Sequence, residues 1–481
     1  MDRLPRSIPE REGISSDAII SWVNEVGKLD SLNSFMLLRN GRVIAEGWWN
    51  PYRPEVPHQL FSLSKSFTSL AVGFARAEGL LKLDDPVTGF FPEKLPRDLD
   101  ERFRRMTVRH LLTMSTGHDR CALDYLVPIA EDGDWVAAFF RSPLSYEPGS
   151  RFVYNSGASY LLSAIVTRVT GRELQAYLRP RLLNPLGFAP RRWEKCPRGI
   201  DLGGWGFNLT TEEIARFAQM LLDGGKWRGR QLVPPDYLRM ATSFQIDNSG
   251  NDQPDWKQGY GFQFWRTRHN TFRGDGAFGQ YALVMPDQQA VLAVTSGLRN
   301  MQTILDAVWT QLLPAFQSTP LPENPAAADR LRKKLETLAI PMPPAGSPDR
   351  LPAACYRIEP NAAELTELEV ECSPEQCTLT FTGPAGVETL RAGFGRRLEG
   401  RLQLDAAEPR LVSACASAPE PDRLLLDVCC IETPFRLSFE LQFEQETLRL
   451  VRRANLYFHS KEWPELTGRR IPSEEGTADN G

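Results

Sequence analysis

Two proline clusters, "STPLPENP" at 318–325 and "PMPPAGSPDRLP" at 341–352, flank a short charged helical stretch. Proline lacks a backbone N–H, fixes its own φ and restricts the residue before it, so neither a helix nor a strand can run through such a region. The chain therefore divides into residues 1–318, a Pro-rich linker with a short helix at 319–352, and a downstream part. With 481 residues, 42% of them hydrophobic, there is material for a core on each side of the division.

Upstream of the prolines the hydrophobic period alternates between that of helices and that of strands. A helix-like "SSDAIISWVNEV" precedes "SFMLLRNGRVIAEGWW", two apolar runs around Asn40-Gly41, which predicts a β-hairpin. Residues 62–79 read as a helix, because Phe67, Leu70, Ala71, Phe74 and Ala75 recur at helical spacing and Gly79 stands at its end. Helices are also expected at "TVRHLLTM", "SYLLSAIVTRVTG" and "TTEEIARFAQMLLDGG", the last opened by a Thr210-x-x-Glu213 capping signal. Strands return from "YGFQFW" through "GQYALVMPDQQAVLAVTSG", and "QTILDAVWTQLLPAF" closes the region as a helix. This is a mixed α/β architecture. Downstream, "ELEVEC", "CTLTF", "LLLDVCCIE", "RLSFELQF" and "LRLVRR" predict a β-rich domain over 353–465, followed by a disordered tail over 466–481.

Composition excludes several classes of function. Lys and Arg total 56 against 60 Asp and Glu, with no basic block to track a phosphate backbone, so nucleic acid is not expected as a partner. The N-terminus lacks the apolar core of a secretory signal and no long apolar run follows, so no membrane partner and a cytoplasmic location are expected. The eight cysteines form no CxxC, and most read as small buried apolar residues. The five histidines form no HExxH, so neither a metal nor another cofactor is expected.

"FSLSKSFTSL" at 61–70 carries the chemistry. Ser62 and Lys65, three apart, share a helix face, so the amine can reach the hydroxyl. Lysine can take the serine proton only if burial or a neighbouring cation lowers its pKa, and Phe61, Leu63 and Phe67 suit such burial. On these residues alone Ser62 is either a nucleophile or a helix cap, with Lys65 a base or a solvated side chain. Ser64 adjoins Lys65 and points elsewhere, which gives it a structural role. His118 in "MSTGHD" has no Gly-x-Ser-x-Gly elbow to serve, His110 reads as a core residue, and His58 as a loop surface residue.

Five segments in order, "FSLSKSFTSLAVGFARAEGLLKLDDPV", "MTVRHLLTMSTG", "PGSRFVYNSGASYLLSAIVTRVTG", "LTTEEIARFAQMLLDGG" and "GDGAFGQYALVMPDQQAVLAVTSG", resemble the serine β-lactamase-like superfamily over residues 10–315. The branch is that of class C β-lactamases, esterases, D-amino-acid peptidases and 6-aminohexanoate-dimer hydrolases. The resemblance implies an antiparallel sheet flanked by helices, with Ser62 as the acylated nucleophile, Lys65 as its base and Tyr154 as the third catalytic group. Beside a lysine ammonium the Tyr154 phenol is expected to lose its proton more easily. The family's Tyr-x-Asn reads Tyr154-Asn155-Ser156 here, which puts Ser156 at the Asn position and shifts the amide by one, so that the resemblance implies Asn155 and Ser156 at the substrate. Its Lys-Thr-Gly or His-x-Gly element matches Asp275-Gly276-Ala277, lining the substrate, and the N–H groups of Ser62 and Phe278 fall where the family holds an oxyanion. Asp275 is expected to repel a substrate carboxylate, which disfavours penicillins. The expected function is hydrolysis of a small-molecule amide or ester through a Ser62 acyl-enzyme. The alternatives are an acyltransferase using the same intermediate and a non-catalytic binding protein on the same fold.

Overall fold

In the computed structural model, which describes residues 3–29, 31–351, 353–384, 386–403, 408–456, 458 and 462–472, Asn40 and Gly41 take φ of 49° and 73°. These left-handed conformations make the tight turn of the expected hairpin. It joins β1 (Leu32–Arg39) to β2 (Arg42–Trp48) after helix α1 (Ser16–Gly27). The predicted helix at 62–79 is a 3₁₀ turn, Phe61–Leu63, running into α2 (Ser64–Ala77). Then come α3 (Ser156–Thr170) and α4 (Thr211–Leu222), the latter opened by the expected Thr210–Glu213 capping box.

Strands β3 (Trp265–Thr267), β4 (Thr271–Gly276), β5 (Gln280–Met285) and β6 (Ala290–Ser296) complete an antiparallel sheet of order β2-β1-β6-β5-β4-β3. "YGFQFW" was expected to be strand throughout, but Gln263 has φ 62°, which breaks the ladder, and regular pairing begins at Trp265. Every residue of β1, β5 and β6 is buried, as a sheet covered on both faces requires. On one face Trp22 of α1 meets Phe35 edge-on, ring centroids 4.9 Å apart. On the other, Met36, Val284 and Ala293 join the core of α2, α3 and α4. Helix α2 lies deep in that core. Its Phe67 stacks on Phe217 of α4 at 4.0 Å, and burial of such a ring contributes about 2–3 kcal/mol.

The charged helix between the prolines, α5 (Pro325–Glu336), packs against α1 and β2 and belongs to the first unit rather than to a linker. This unit comprises Met1–Trp48 and Pro57–Leu338, and the second Trp49–Val56 with the chain from Ala339 onward. The expected boundaries at 318 and 352 are thus displaced, and a segment from the N-terminal third joins the second unit. There Tyr52 donates its hydroxyl to the Thr433 carbonyl at 3.2 Å, and the Ile340 N–H donates to the Asn50 carbonyl at 2.8 Å.

The second unit consists of β7 (Ala354–Ile358), β8 (Glu367–Cys372), β9 (Gln376–Gly383), β10 (Gly386–Phe394), β11 (Leu398–Leu402), β12 (Arg410–Glu420), β13 (Arg423–Cys430), β14 (Arg436–Glu444), β15 (Thr447–Ala454) and β16 (Leu466–Arg470). Neighbours pair antiparallel, and a short parallel pairing of β10 with β12 closes the sheet into a barrel. In β8 the inward Leu368 and Val370 are buried while Glu369 and Glu371 face out, the period of a half-buried strand. Strand β16 lies inside the stretch expected to be a disordered tail, since Leu466 is buried and pairs with β15. Residues 473–481 of that tail lie outside the described residues. Among the described residues no helix is long and apolar enough to cross a membrane.

Candidate active site

The 3₁₀ turn at the head of α2 presents a half-buried Ser62 above a buried Lys65. The backbone there is forced, because Phe61 has φ 47°, a left-handed value that a bulky side chain takes only when its surroundings impose it. Strand β4 imposes it by close approach. A Cβ on Gly276 would overlap the carbonyl oxygen of Leu60, and one on Gly274 would come within 2.6 Å of the Ser66 hydroxyl. Phe278, just beyond β4, is also left-handed at φ 68°, and its ring meets that of Phe61 edge-on at 5.4 Å. The two left-handed residues thus meet ring to ring next to Ser62, and Ala277, between Gly276 and Phe278, is half-buried.

Lys65 Nζ donates to three oxygens: Ser62 Oγ at 3.0 Å, Ser156 Oγ at 2.9 Å and the Gly204 carbonyl at 2.7 Å. Burial pulls its pKa down to about 7, against the raising effects of Cys121 and Asp275. A neutral amine must aim its lone pair at a donor, and of the three partners only the two hydroxyls can donate. Loss of the ammonium proton therefore leaves Lys65 ready to accept from Ser62 while Ser156 and Gly204 still hold it. The Tyr154 phenol lies beside Ser62, its ring is 4.9 Å from Lys65 Nζ, and it stacks on Trp265 at 5.5 Å. Its phenol does not lose its proton easily, contrary to the sequence expectation. Burial, then the Asp275 charge, push its pKa well up, more than the neighbouring Ser62 hydroxyl lowers it.

Asp275 does not face a substrate as a free charge either. It is 6% exposed and pairs with the fully buried Arg273, whose Nε donates to Oδ2 at 3.0 Å, and the nearby Trp265 indole also favours its charged form. Burial raises the Asp275 pKa, with Arg273 opposing. Arg273 is itself fixed by the Asp255 carbonyl at 2.8 Å and Thr267 Oγ1 at 2.9 Å, over the Trp256 ring at 4.2 Å. The pair is neutral overall, so repulsion of a substrate carboxylate by Asp275 does not hold.

Asn155, expected at the substrate, is fully buried. It is the N-cap of α3, accepting from Ala158 N at 3.2 Å and Ala122 N at 3.0 Å and donating to Thr116 Oγ1 at 3.0 Å. Ser156 sits on Lys65 instead. Cys121, read as an inert buried residue, is half-buried beside this group and accepts from the Ser156 N–H at 3.3 Å. Ser64, read from the sequence as a cap or a support to the site, accepts from Phe207 N at 3.2 Å and does not cap the helix. His118 lies between Thr116 and Ser142, and His110 Nδ1 accepts from Thr107 N at 3.1 Å. His58 is buried against Asn33 at 2.9 Å rather than on a loop surface. Arg273, Gly204 and Trp265 were missed. Only Arg273 left a local signal, since Arg-x-Asp on one strand puts both side chains on the same face. Among the described residues no three His, Cys, Asp or Glu side chains are grouped to hold a metal ion.

A family model described as Beta-lactamase matches residues 33–307. A 6-aminohexanoate-dimer hydrolase from Paenarthrobacter ureafaciens is 26% identical over 304 residues, covering 56% of this chain and 74% of its own length. Esterase EstB of Burkholderia gladioli is 34% identical over 151 residues, 28% of this chain and 38% of its own. Among solved structures, EstCE1, a hydrolase with promiscuous acyltransferase activity, is similar in fold with a TM-score of 0.50 at 18% identity, covering 61% of this chain and 99% of its own.

Proposed function

Because the chain belongs to the Beta-lactamase family, we propose that its first unit is a serine hydrolase that cleaves an ester or amide through an acyl-enzyme on Ser62. The observation that carries this reading is Lys65, buried, with a pKa of about 7 and its amine 3.0 Å from Ser62 Oγ. Neutral Lys65 takes the Ser62 proton as Oγ attacks the substrate carbonyl. The resulting oxyanion is held by the N–H groups of Ser62 and Phe278, on the two strained turns that face each other. Tyr154, protonated and beside Ser62, gives its proton to the leaving alcohol or amine, and the Lys65 ammonium restores it. Water then attacks the acyl-enzyme by the same steps in reverse roles.

The Arg273–Asp275 pair supports a neutral substrate. It offers no net charge at the strand position where relatives by resemblance carry Lys or His, so a carboxylate is neither anchored nor expelled there. A fluorophosphonate probe tests the assignment. It is expected to label Ser62 in the native chain and to leave Ser62→Ala unlabelled, with p-nitrophenyl ester hydrolysis falling at least about 10³-fold in that variant. Undiminished hydrolysis by folded Ser62→Ala would move the nucleophile elsewhere.

A further inference from the structure

Cys372, which ends β8, and Cys377, near the start of β9, are direct partners across the hairpin that joins these strands. The Ser373 N–H donates to the Gln376 carbonyl at 2.8 Å, closing a loop over Pro374 and Glu375. Bonded and non-bonded pairs alternate along an antiparallel ladder, so the next pair, 372 with 377, is of the non-bonded kind. Its Cα atoms then stand about 4.5 Å apart with their side chains close. That spacing lies within the roughly 4.4–6.8 Å that a disulfide spans. Both thiols are free, and each affects the other's protonation. Cys372 is half-buried and open to reagents, whereas Cys377 is buried beside Leu379 on the inner face. Among the described residues no other strand pairing sets cysteine against cysteine. Cys415 faces Asp427, Cys355 faces Glu369, and the adjacent Cys429 and Cys430 point to opposite faces.

We propose that Cys372 and Cys377 form a dithiol modification site that a low-molecular-weight disulfide converts to a cross-strand bridge. The neighbouring Cys377 thiol holds the Cys372 pKa below the ordinary thiol range, while Cys372 and burial raise that of Cys377. The Cys372 thiolate attacks one sulfur of the reagent, forming a mixed disulfide and releasing one thiolate. Cys377 then gives up its proton and attacks the Cys372 sulfur, expelling the second thiol. Two electrons pass to the reagent, and one disulfide and two thiols of the protein side become one bridge and two small thiols. The bridge closes a loop that the ladder already closes, so it removes little chain entropy and is expected to leave the Tm nearly unchanged.

The experiment treats the folded full chain with oxidised glutathione, alkylates the remaining thiols and maps peptides by mass spectrometry. The expected result is a peptide containing residues 372 and 377 that has lost two hydrogens and is restored by dithiothreitol. In Cys377→Ser the reaction is expected to stop at glutathione bound to Cys372. The proposal is overturned if both residues of the native chain stay alkylatable while other cysteines are oxidised. It is equally overturned if the folded serine variant retains no glutathione at Cys372.

Discussion

Lys65 has three oxygen partners and is 1% exposed, and in the proposed mechanism the balance of these determines when it can act as a base. Only its neutral form accepts a proton, so kcat/KM is expected to rise with pH through about 7, the value to which burial pulls it. Asp275 acts on this value in the opposite direction, since its negative charge favours the ammonium and raises the Lys65 pKa. Removing that charge in Asp275→Asn also leaves the Arg273 cation uncompensated nearby, and both changes favour neutral Lys65. The ascending limb should therefore move to lower pH, as a pH series of kcat/KM on a neutral ester would reveal, and a limb that stays in place would remove Asp275 from the tuning of the base. The Ser62–Lys65 pairing was legible because three residues along a helix fix it locally. The neutralised Asp275 was not, because the depth of Arg273 and the indole of Trp265 come from folding at long range. For the same reason Tyr154 was expected to ionise readily. Proximity to a lysine can be read from a motif, but loss of solvent around the phenol cannot.

Helix α3 shows how one cap arranges a site. Asn155 holds the first turn, ties residue 122 to it and delivers Tyr154 and Ser156 on either side of itself. Asn155→Ala removes a cap and strands a buried Ala122 N–H, which together should cost about 2–3 kcal/mol. Thermal unfolding is expected to register that loss together with a fall in kcat, while an unchanged kcat would show that the cap does not position Ser156. Elements with local signals were readable: the Asn40-Gly41 hairpin, the Thr210–Glu213 box and the alternating Glu and apolar residues of β8. Strand β12 was not, because its "LVSACASAPE" is made of small residues whose inward and outward positions differ little in polarity. Helix α5 was recognised, but its place was not. Flanking prolines mark where a helix stops, not which core its Ala327 and Leu331 join.

At the scale of the whole molecule the mixed α/β unit and the β-rich unit were evident from the change of hydrophobic period, but the membership of residues 49–56 was not, since eight residues carry no period of their own. Tyr52 and Asn50 depend on Thr433 and Ile340 for their partners. A chain ending at Leu338 keeps every strand of the six-stranded sheet and loses those partners. Limited chymotrypsin digestion should cut this truncated chain at Tyr52 and spare that bond in the full chain; equal resistance in both would show that 49–56 is held by the first unit alone. The same threading bears on descent. A second unit assembled from two stretches of sequence cannot be gained, lost or exchanged through one recombination junction, because a single break in the gene would leave either the first stretch or the second behind. Lineages that carry this barrel are therefore expected to carry the matching eight-residue segment ahead of Ser62, and the two to be inherited or lost together.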